Sequence, residues 1–479
     1  MIRRKRSGVQ QKSAMAEELL YYLPGAYFMT RQIVCRFLLC LILPISVASA
    51  FGGELNWLGH WKGEDKREVL VHEIKKNYEF LHPGTTIKLT FDVDVEGEGS
   101  YYKMKVARRI VEMIETGKIE WDLFSCDVAI YNHVADLLGD PQWGRKYLVD
   151  FGEVPGFLAS QKDVVVGSPF YRDKKGGIYP GPYIEGILFN LWYTRQAAAA
   201  IGIQVKERGM SVEEFLSYAA RVADYNKRHG TRFPFLYLNS FNRIEALFEY
   251  LFKSSFIDPQ PVIEETYDEK KAAAFLATLE IFEKLASYQP VVNEGWRSLD
   301  WRECEKDFLA GNGLFLPGGT YMYSHFRGNA AASADNGIPV EMPHVVQPNG
   351  QVGLFTNTFA VLKASPNRQA AIELSMMWAE PRVAEKWVEY TKNPTGIRGN
   401  LVEHAFDSDS SDVYERFLVD MERQYIVLPM RNFRAPTYAF GKDTPVGAEE
   451  FRNSLVLILE GKLGAREYYR SILTRMGRQ

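Results

Sequence analysis

Residues 54–91 read ELNWLGHWKGEDKREVLVHEIKKNYEFLHPGTTIKLTF. Residues 54–58 read as a strand, and residues 66–80 repeat apolar side chains at roughly helical spacing. His82-Pro83-Gly84 is expected to end that helix, because proline and glycine interrupt a helical pattern. Residues 86–91 alternate apolar and polar side chains as a second strand. The stretch therefore predicts a strand, a helix and a strand.

The same alternation continues along the chain. Residues 101–115 repeat the helical period, and residues 121–125 are a third predicted strand. Ser211 and Glu214 form a capping-box pattern for a helix that runs to about residue 228. Further predicted elements are a helix over 269–287 and a short strand over 314–316. The opening βαβαβ order favours a mostly parallel sheet covered by helices, with ligands at the carboxyl ends of the strands.

The N-terminal region carries the pattern of a secretory signal. From Met29 the chain has two arginines, then an uncharged stretch over 37–50 that ends in Ala48-Ser49-Ala50. Residues 29–50 are therefore predicted to be a signal peptide. Residues 1–28 are interpreted as an upstream leader or as a misassigned start. The protein is expected in the periplasm.

Composition excludes several classes of function. At 479 residues the chain is long enough for two or three domains, at roughly 100–200 residues each. Residues 1–50 hold seven of the 57 Lys and Arg and two of the 60 Asp and Glu, so the remainder carries 50 against 58, a net charge of −8. A nucleic-acid partner is not expected, because phosphate binding needs clustered positive charge.

The sequence contains no recognisable catalytic or metal-binding motif. Its histidines are scattered, so no metal site and no cofactor are predicted. Phosphate-binding loops, dinucleotide fingerprints, hydrolase elbows and zinc-protease motifs are also missing from the sequence. The cysteines beyond the leader are Cys126 and Cys304. The sequence leaves open whether they pair in a disulfide or stay reduced. A glycosidase with two carboxylates is unsupported but stays open.

Several segments resemble the large carbohydrate-type family of extracytoplasmic solute-binding proteins of ABC importers, which includes maltose-binding protein. The order and spacing of the segments carry the resemblance, which runs from Leu55 to about Leu401. The segments are FLHPGTTI at 80–87, ILFNLWYTR at 187–195, MSVEEF at 210–215, FLAGNGLFLPGG at 308–319 and FAVLKASPNRQAA at 359–371.

The resemblance implies an α/β fold of the type II periplasmic-binding-protein kind, with two lobes joined by a hinge and a ligand cleft between them. The chain would cross the hinge near Tyr183, near His344 and near Asn393. Lobe 1 would then comprise residues 51–183 and 345–393. Lobe 2 would comprise residues 184–344 and the C-terminal part, 394–479, which should pack back on it.

A sugar offers an apolar ring face and a rim of hydroxyl groups, so its site needs aromatic side chains beside polar hydrogen-bonding ones. By position, Tyr321 resembles the family's stacking aromatic residue and Glu185 its carboxylate beside the hinge. Both types of side chain occur in the loops that should line the cleft. The predicted ligand-binding residues are Trp57, His60, Trp61, Asp127, Tyr183, Glu185, Tyr321, Asn357 and Arg398.

The resemblance implies a monomeric binding protein without catalysis. It would deliver a small-molecule ligand, expected to be a carbohydrate, to the transmembrane subunits of an ABC permease. A sensory protein that engages a membrane receptor kinase would use the same closing lobes, so the sequence leaves that alternative open. A glycan-cleaving hydrolase is the alternative from the enzyme class.

Overall fold

The computed structural model describes residues 53–97, 102–162, 178–257, 265–346, 351–356, 358–399, 406, 412–424, 427–429 and 435–478. The predicted signal peptide and the predicted site residue Asn357 lie outside these ranges. None of the helices within them is long and apolar enough to cross a membrane.

Strands and helices alternate along most of the described chain. The strands are β1 (Gly53–Gly59), β2 (Thr85–Phe91), β3 (Leu123–Cys126), β4 (Glu185–Thr194), β5 (Phe315–Gly319), β6 (Gly337–Val340), β7 (Gln351–Thr356), β8 (Thr358–Ala360) and β9 (Val427–Pro429). The first helices are α1 (Asp65–Leu81), α2 (Tyr102–Thr116), α3 (Val128–Leu138), α4 (Trp143–Tyr147), α5 (Phe157–Ser160), α6 (Arg195–Ile201), α7 (Val212–His229) and α8 (Phe241–Lys253). The later helices are α9 (Glu269–Ala286), α10 (Trp301–Leu309), α11 (Met322–Ala330), α12 (Arg368–Met376), α13 (Pro381–Thr391), α14 (Val413–Gln424), α15 (Ala435–Phe440), α16 (Ala448–Leu459) and α17 (Ala465–Arg475).

The first sheet has the strand order β2-β1-β3-β8. β1 runs parallel to β2 over its whole length, from Gly53 opposite Thr85 to Gly59 opposite Phe91. β1 is also parallel to β3, whereas β8 is antiparallel to β3. This confirms the βαβαβ prediction. Because β1, β2 and β3 are parallel, their carboxyl ends meet at one edge of the sheet.

The second sheet has the order β5-β4-β7-β9, with β6 also paired to β4. The central strand β4 is antiparallel to β5, β6 and β7, whereas β9 runs parallel to β7. The expectation of a mostly parallel sheet therefore holds for the first sheet and is wrong for the second. Strands from distant parts of the chain flank β4, and the local alternation of elements does not specify their direction.

Helix ends follow the local sequence signals. Ser211 accepts a hydrogen bond from the Glu214 amide, and the Glu214 carboxylate accepts one from the Ser211 amide, which is the capping box predicted for α7. Helix α7 ends at Gly230, which adopts a left-handed conformation with φ of 63°. Asp268 caps α9 by accepting from the Lys271 amide.

Each sheet has a separate hydrophobic core. Leu58, Phe124 and Trp143 are fully buried in the core of the first sheet. The second core includes Phe248, which contacts Phe275, Phe282 and Phe451. Because Phe451 comes from α16, this C-terminal helix packs in the core of the second sheet.

The chain passes between the sheets in neighbouring places. The Gly186 amide donates to Pro394 O, and the Gly396 amide donates to Tyr183 O, so the segments in which crossings are predicted, near Tyr183 and near Asn393, lie side by side. The other passage occurs between Thr356 of β7 and Thr358 of β8, which is beyond the predicted position near His344. His344 instead bridges to Ser211 in a short parallel pairing.

Gly181 allows a close approach of the chain to β8 at this passage. A Cβ atom on Gly181 would lie 2.5 Å from the Phe359 carbonyl oxygen and would also overlap the Thr358 hydroxyl. We therefore expect Gly181→Ala to destabilise the protein by about 1–3 kcal/mol, the usual cost of overpacking. Gly328 of α11 is the matched control, because nothing lies within 4 Å of its added Cβ. Gly328→Ala should be neutral or stabilising, and equal urea midpoints for the two variants would contradict this prediction.

Candidate functional site

Polar side chains meet at the carboxyl edge of the first sheet. His60 follows β1, and its Nδ1 lies 2.5 Å from Oδ2 of Asp92, which follows β2 and is fully buried. Burial disfavours the charged imidazole, but the Asp92 carboxylate outweighs it and raises the pKa of His60. Asp127 follows β3, accepts from the Ile130 amide as the cap of α3, and forms an ion pair with Lys103. The predicted site residues His60 and Asp127 therefore share this edge.

The turn after β1 presents two charged residues that the sequence reasoning missed. Trp61 adopts a left-handed backbone conformation with φ of 69°, which is uncommon for a residue other than glycine. Its carbonyl accepts from the Glu64 amide at 3.1 Å, and the Glu64 carbonyl accepts from the Arg67 amide at 3.0 Å. This turn directs the start of α1 so that Glu64 and Arg67 face elements of the second sheet. Their position just after the carboxyl end of a parallel strand was the signal that could have found them.

The structure places Trp57 and Trp61 in an aromatic core rather than on a ligand-facing surface. Trp57 is 0% exposed and packs edge-on against Phe359 at a ring-centroid distance of 5.1 Å. Trp61 is 1% exposed and contacts Trp378 at 5.7 Å and Trp387 at 4.8 Å. The reason is that Trp378, in the turn after α12, and Trp387 of α13 cover these indoles. Neither residue presents a ring face for a sugar in this structure.

A pocket opens at the end of β5 in the second sheet. Its cavity measures about 210 Å³, and we call it the Tyr321 pocket. It is lined by Phe189, Asn239, Ser240, Arg243, Ala246, Trp301, Glu305, Gly318, Tyr321 and His325. The rings of Tyr321 and Trp301 lie 5.1 Å and 4.9 Å from the imidazole of His325. The pocket therefore combines aromatic rings with charged and amide side chains, and it includes the predicted site residue Tyr321.

Arg243 is held rigidly in the wall of the Tyr321 pocket. Its Nε donates to Asn239 Oδ1 at 2.7 Å, and its Nη1 donates to Pro317 O at 2.6 Å. Gly318 permits this approach, because a Cβ there would lie 3.2 Å from the Arg243 Nη1 atom. A buried guanidinium with fixed geometry is a strong and directional hydrogen-bond donor.

Five charged residues join the two sheet edges, and we call them the central ion cluster: Glu64, Arg67, Glu185, Glu305 and His325. Arg67 Nη1 donates to Glu64 Oε2 at 2.7 Å, and its Nη2 lies 3.0 Å from Glu185 Oε1. His325 Nε2 lies 3.6 Å from Glu64 Oε2, and its Nδ1 lies 3.0 Å from Glu305 Oε1. The cluster includes Glu185, a predicted site residue.

Mutual attraction within the cluster changes the pKa values of His325 and Glu64. Burial opposes the charged imidazole of His325, but Glu305 and Glu64 raise its pKa to about 9. Burial likewise opposes the charged carboxylate of Glu64, yet the neighbouring imidazolium of His325 and the charge of Arg67 hold its pKa well below the usual range. His325 and Glu64 are therefore both charged at neutral pH.

The remaining predicted residues lie elsewhere. Tyr183 is fully buried, and its amide donates to the Gln161 side chain at 3.2 Å. Arg398 is bound to the same segment, because its Nε donates to Gln161 O at 3.2 Å and its amide donates to Ser160 O. Both residues therefore stabilise the segment in which the chain passes between the sheets.

The cysteines Cys126 and Cys304 are both buried free thiols in this structure. Burial raises the pKa of each thiol, so neither is reactive at neutral pH. Within the described ranges, no group of three or more His, Cys, Asp or Glu side chains is arranged to hold a metal ion.

Comparison with solved structures identifies the fold. The GacH receptor of Streptomyces glaucescens, solved unliganded and in complex with acarbose, superposes with a TM-score of 0.62 at 16% identity over 89% of this chain and 98% of its own. A maltose-bound protein of T. maritima gives 0.61 at 14% identity over 89% and 99%. An ABC transporter solute-binding protein from Thermotoga lettingae, bound with α-D-tagatose, gives 0.61 at 15% identity over 88% and 98%.

Sequence comparison alone finds no such relationship, because no protein-family model and no curated protein matches the chain. The likeness lies in the three-dimensional arrangement, and it covers most of this chain and nearly all of each neighbour. This chain has the type II periplasmic-binding-protein fold of the maltose-binding-protein-like solute-binding proteins, with two α/β lobes.

Proposed function

We propose that the protein is the extracytoplasmic solute-binding subunit of an ABC importer. It would close two lobes around a sugar or an oligosaccharide and deliver it to the membrane permease. The single observation that carries this proposal is the Tyr321 pocket, in which aromatic rings and a buried, fixed guanidinium line one cavity beside the central ion cluster. The neighbours solved with acarbose, maltose and tagatose support a carbohydrate ligand.

The chemistry of the pocket suits a sugar ring. The ring of Tyr321 offers an apolar face, on which the C–H groups of a sugar can stack. Arg243 and Asn239 offer donors, and Glu305 offers carboxylate oxygens, for the hydroxyl groups around that ring. A cavity of about 210 Å³ is smaller than a typical drug-sized pocket of about 300–1,000 Å³, so we propose that it takes one ring of the ligand.

The lobes that we propose follow the two sheets. Residues 51–183 and 345–393 would build the first lobe, and residues 184–344 and 394–479 the second. The pairing of β7 with β4 favours moving the boundary near residue 345 to the join between β7 and β8. The His60 and Asp127 edge would then face the Tyr321 pocket across the cleft.

Export and partners are further parts of the proposal. We propose that residues 29–50 direct the chain to the periplasm and that the mature protein acts as a monomer. The sequence pattern supports the export step. Genes for permease subunits beside the gene for this protein would support transport, whereas a neighbouring receptor kinase gene would favour sensing.

A ligand screen on the mature chain from Phe51 tests the function. A ligand present at about 100 times its dissociation constant should add about 2.7 kcal/mol of stability, which raises the melting temperature measurably. If no mono- or oligosaccharide raises it while a polyamine or an organic acid does, the carbohydrate assignment fails and the fold assignment stands. Cleavage of any glycan in the same panel, abolished by Glu185→Gln, would show an enzyme instead.

Tyr321→Ala should weaken binding of the ligand found in this screen by about 1–3 kcal/mol, the scale of losing one stacked ring. The fold should survive, because Tyr321 lies at the pocket rather than in a core. Tyr147→Ala is the matched control, since Tyr147 is an exposed tyrosine at the end of α4. Calorimetry should give an unchanged affinity for Tyr147→Ala. An unchanged affinity for Tyr321→Ala would remove Tyr321 from the site.

A further inference from the structure

The imidazole of His325 lies between carboxylates from both lobes. Its Nε2 lies 3.6 Å from Glu64, in the turn that leads from β1 into α1, and its Nδ1 lies 3.0 Å from Glu305 of α10. Only the protonated imidazole carries hydrogens on both ring nitrogens. The doubly protonated form therefore attracts both carboxylates, because it is positively charged and presents an N–H group toward each of them.

The surroundings of His325 favour persistent contacts with Glu64 and Glu305. The side chains of Glu305, His325 and Glu64 are 1%, 16% and 22% exposed, so water screens their attraction only partly. Glu305 is fixed in place, because Asn329 Nδ2 donates to its second oxygen at 2.9 Å. Glu64 is fixed in turn by Arg67, whose guanidinium lies over the Trp387 ring at 5.5 Å.

We propose that Glu64 and His325 form a clasp between the two lobes, which stabilises their closed arrangement and loses this effect when His325 loses its proton. The clasp goes beyond sugar binding, because neither residue needs a ligand for this contact. Arg67 and Glu185 would support it as a second ion pair, at 3.0 Å.

The charges that face His325 come from several elements. The carboxylate of Glu64 lies just before the start of α1, and that of Glu305 lies on α10. The titratable phenol of Tyr321 belongs to the residue directly before α11. Further away, Arg67 and His60 lie near Glu64, and the Arg243 guanidinium lies 4.0 Å from Glu305. The carboxylates outweigh these cations, since the pKa of His325 is raised to about 9 in spite of its burial.

Opening the lobes would remove Glu64 from His325 and expose the imidazole to water. The pKa of His325 would then fall toward the value that Glu305 alone maintains. Closure therefore takes up a proton wherever the pH lies between the open-state pKa and about 9. The contribution of the clasp to the stability of the closed arrangement is complete below the open-state pKa of His325. It is lost as the pH rises through the closed-state pKa of about 9. On the acid side it persists until Glu64, whose pKa is depressed, becomes protonated.

Small-angle scattering from the mature chain without added ligand tests the clasp. We expect the radius of gyration to increase between pH 7.0 and pH 9.5, at constant ionic strength, as the lobes separate. His325→Gln should be expanded already at pH 7.0 and should show no pH step. His229→Gln on α7 is the matched control, because His229 packs only on Tyr225 within the described residues and should leave the wild-type step intact.

Glu64→Gln provides a second variant if His325→Gln fails to fold. It should also expand the protein at pH 7.0, because the amide cannot attract the imidazolium. A wild-type radius that is constant from pH 7.0 to pH 9.5 would overturn the proposal, and so would a wild-type pH step retained in His325→Gln. Since the measurement uses no ligand, its outcome is independent of whether the protein binds a carbohydrate.

Discussion

Arg67→Ala is expected to lower the free energy of unfolding by about 3–5 kcal/mol, the usual loss when one partner of a buried ion pair is removed. The side chains of Arg67 and Glu185 are each 3% exposed. Alanine at this position would remove the cation that lies 3.0 Å from the buried Glu185 carboxylate, and it would also remove the partner of Glu64 at 2.7 Å. Urea unfolding followed by circular dichroism measures the effect as a shift of the midpoint.

Arg109→Ala is the matched control for this prediction. Arg109 also pairs with a carboxylate, Glu112 at 2.9 Å, but the two side chains are 41% and 58% exposed. Water screens such a pair, so its removal should change stability by no more than about 1 kcal/mol. Similar midpoint shifts for Arg67→Ala and Arg109→Ala would contradict the prediction, because the buried ion pair of Arg67 would then contribute no more to stability than an exposed one.

Trp57→Ala should destabilise the protein by about 3–5 kcal/mol, as expected for truncating a large aromatic side chain in a core. Trp57 is 0% exposed and is enclosed by Phe359 and Trp378, at ring-centroid distances of 5.1 Å and 6.4 Å. Its indole fills a volume that these neighbours cannot close after truncation. Thermal or urea unfolding, again followed by circular dichroism, measures the loss.

Phe80→Ala is the corresponding control at the surface, because Phe80 near the end of α1 is 81% exposed. Its truncation removes little buried area and should leave the midpoint close to that of the wild type. A stable Trp57→Ala protein with a weakened affinity for sugar would instead return Trp57 to the ligand site and contradict its assignment to the core.

The strands around residues 54–91 could be predicted closely, because their signal is local. The strand expected over 54–58 extends over Gly53–Gly59, and the one expected over 86–91 extends over Thr85–Phe91. Alternation of apolar and polar side chains records which face of a strand is buried, and it does so within a few residues. The capping box at Ser211 is local in the same way.

The candidate site could be predicted only in part. Tyr321 follows a strand and a double glycine, and the structure places it in the pocket. His325, one turn farther along the same chain segment, was missed, since a single histidine in a helix has no distinctive pattern. Trp57 and Trp61 were expected near the ligand because aromatic residues suit sugars, but the covering residues Trp378 and Trp387 come from far along the chain.

The sequence by itself determined the alternation of strands and helices in the first sheet and the ends of several helices. These properties depend on neighbours within one or two turns of the backbone, so the local order of residues contains them. Only the tertiary structure decided that Glu64 meets His325 and that Arg67 meets Glu185. Electrostatic attraction and burial act between segments that are distant along the chain, and the folded backbone alone brings those segments together.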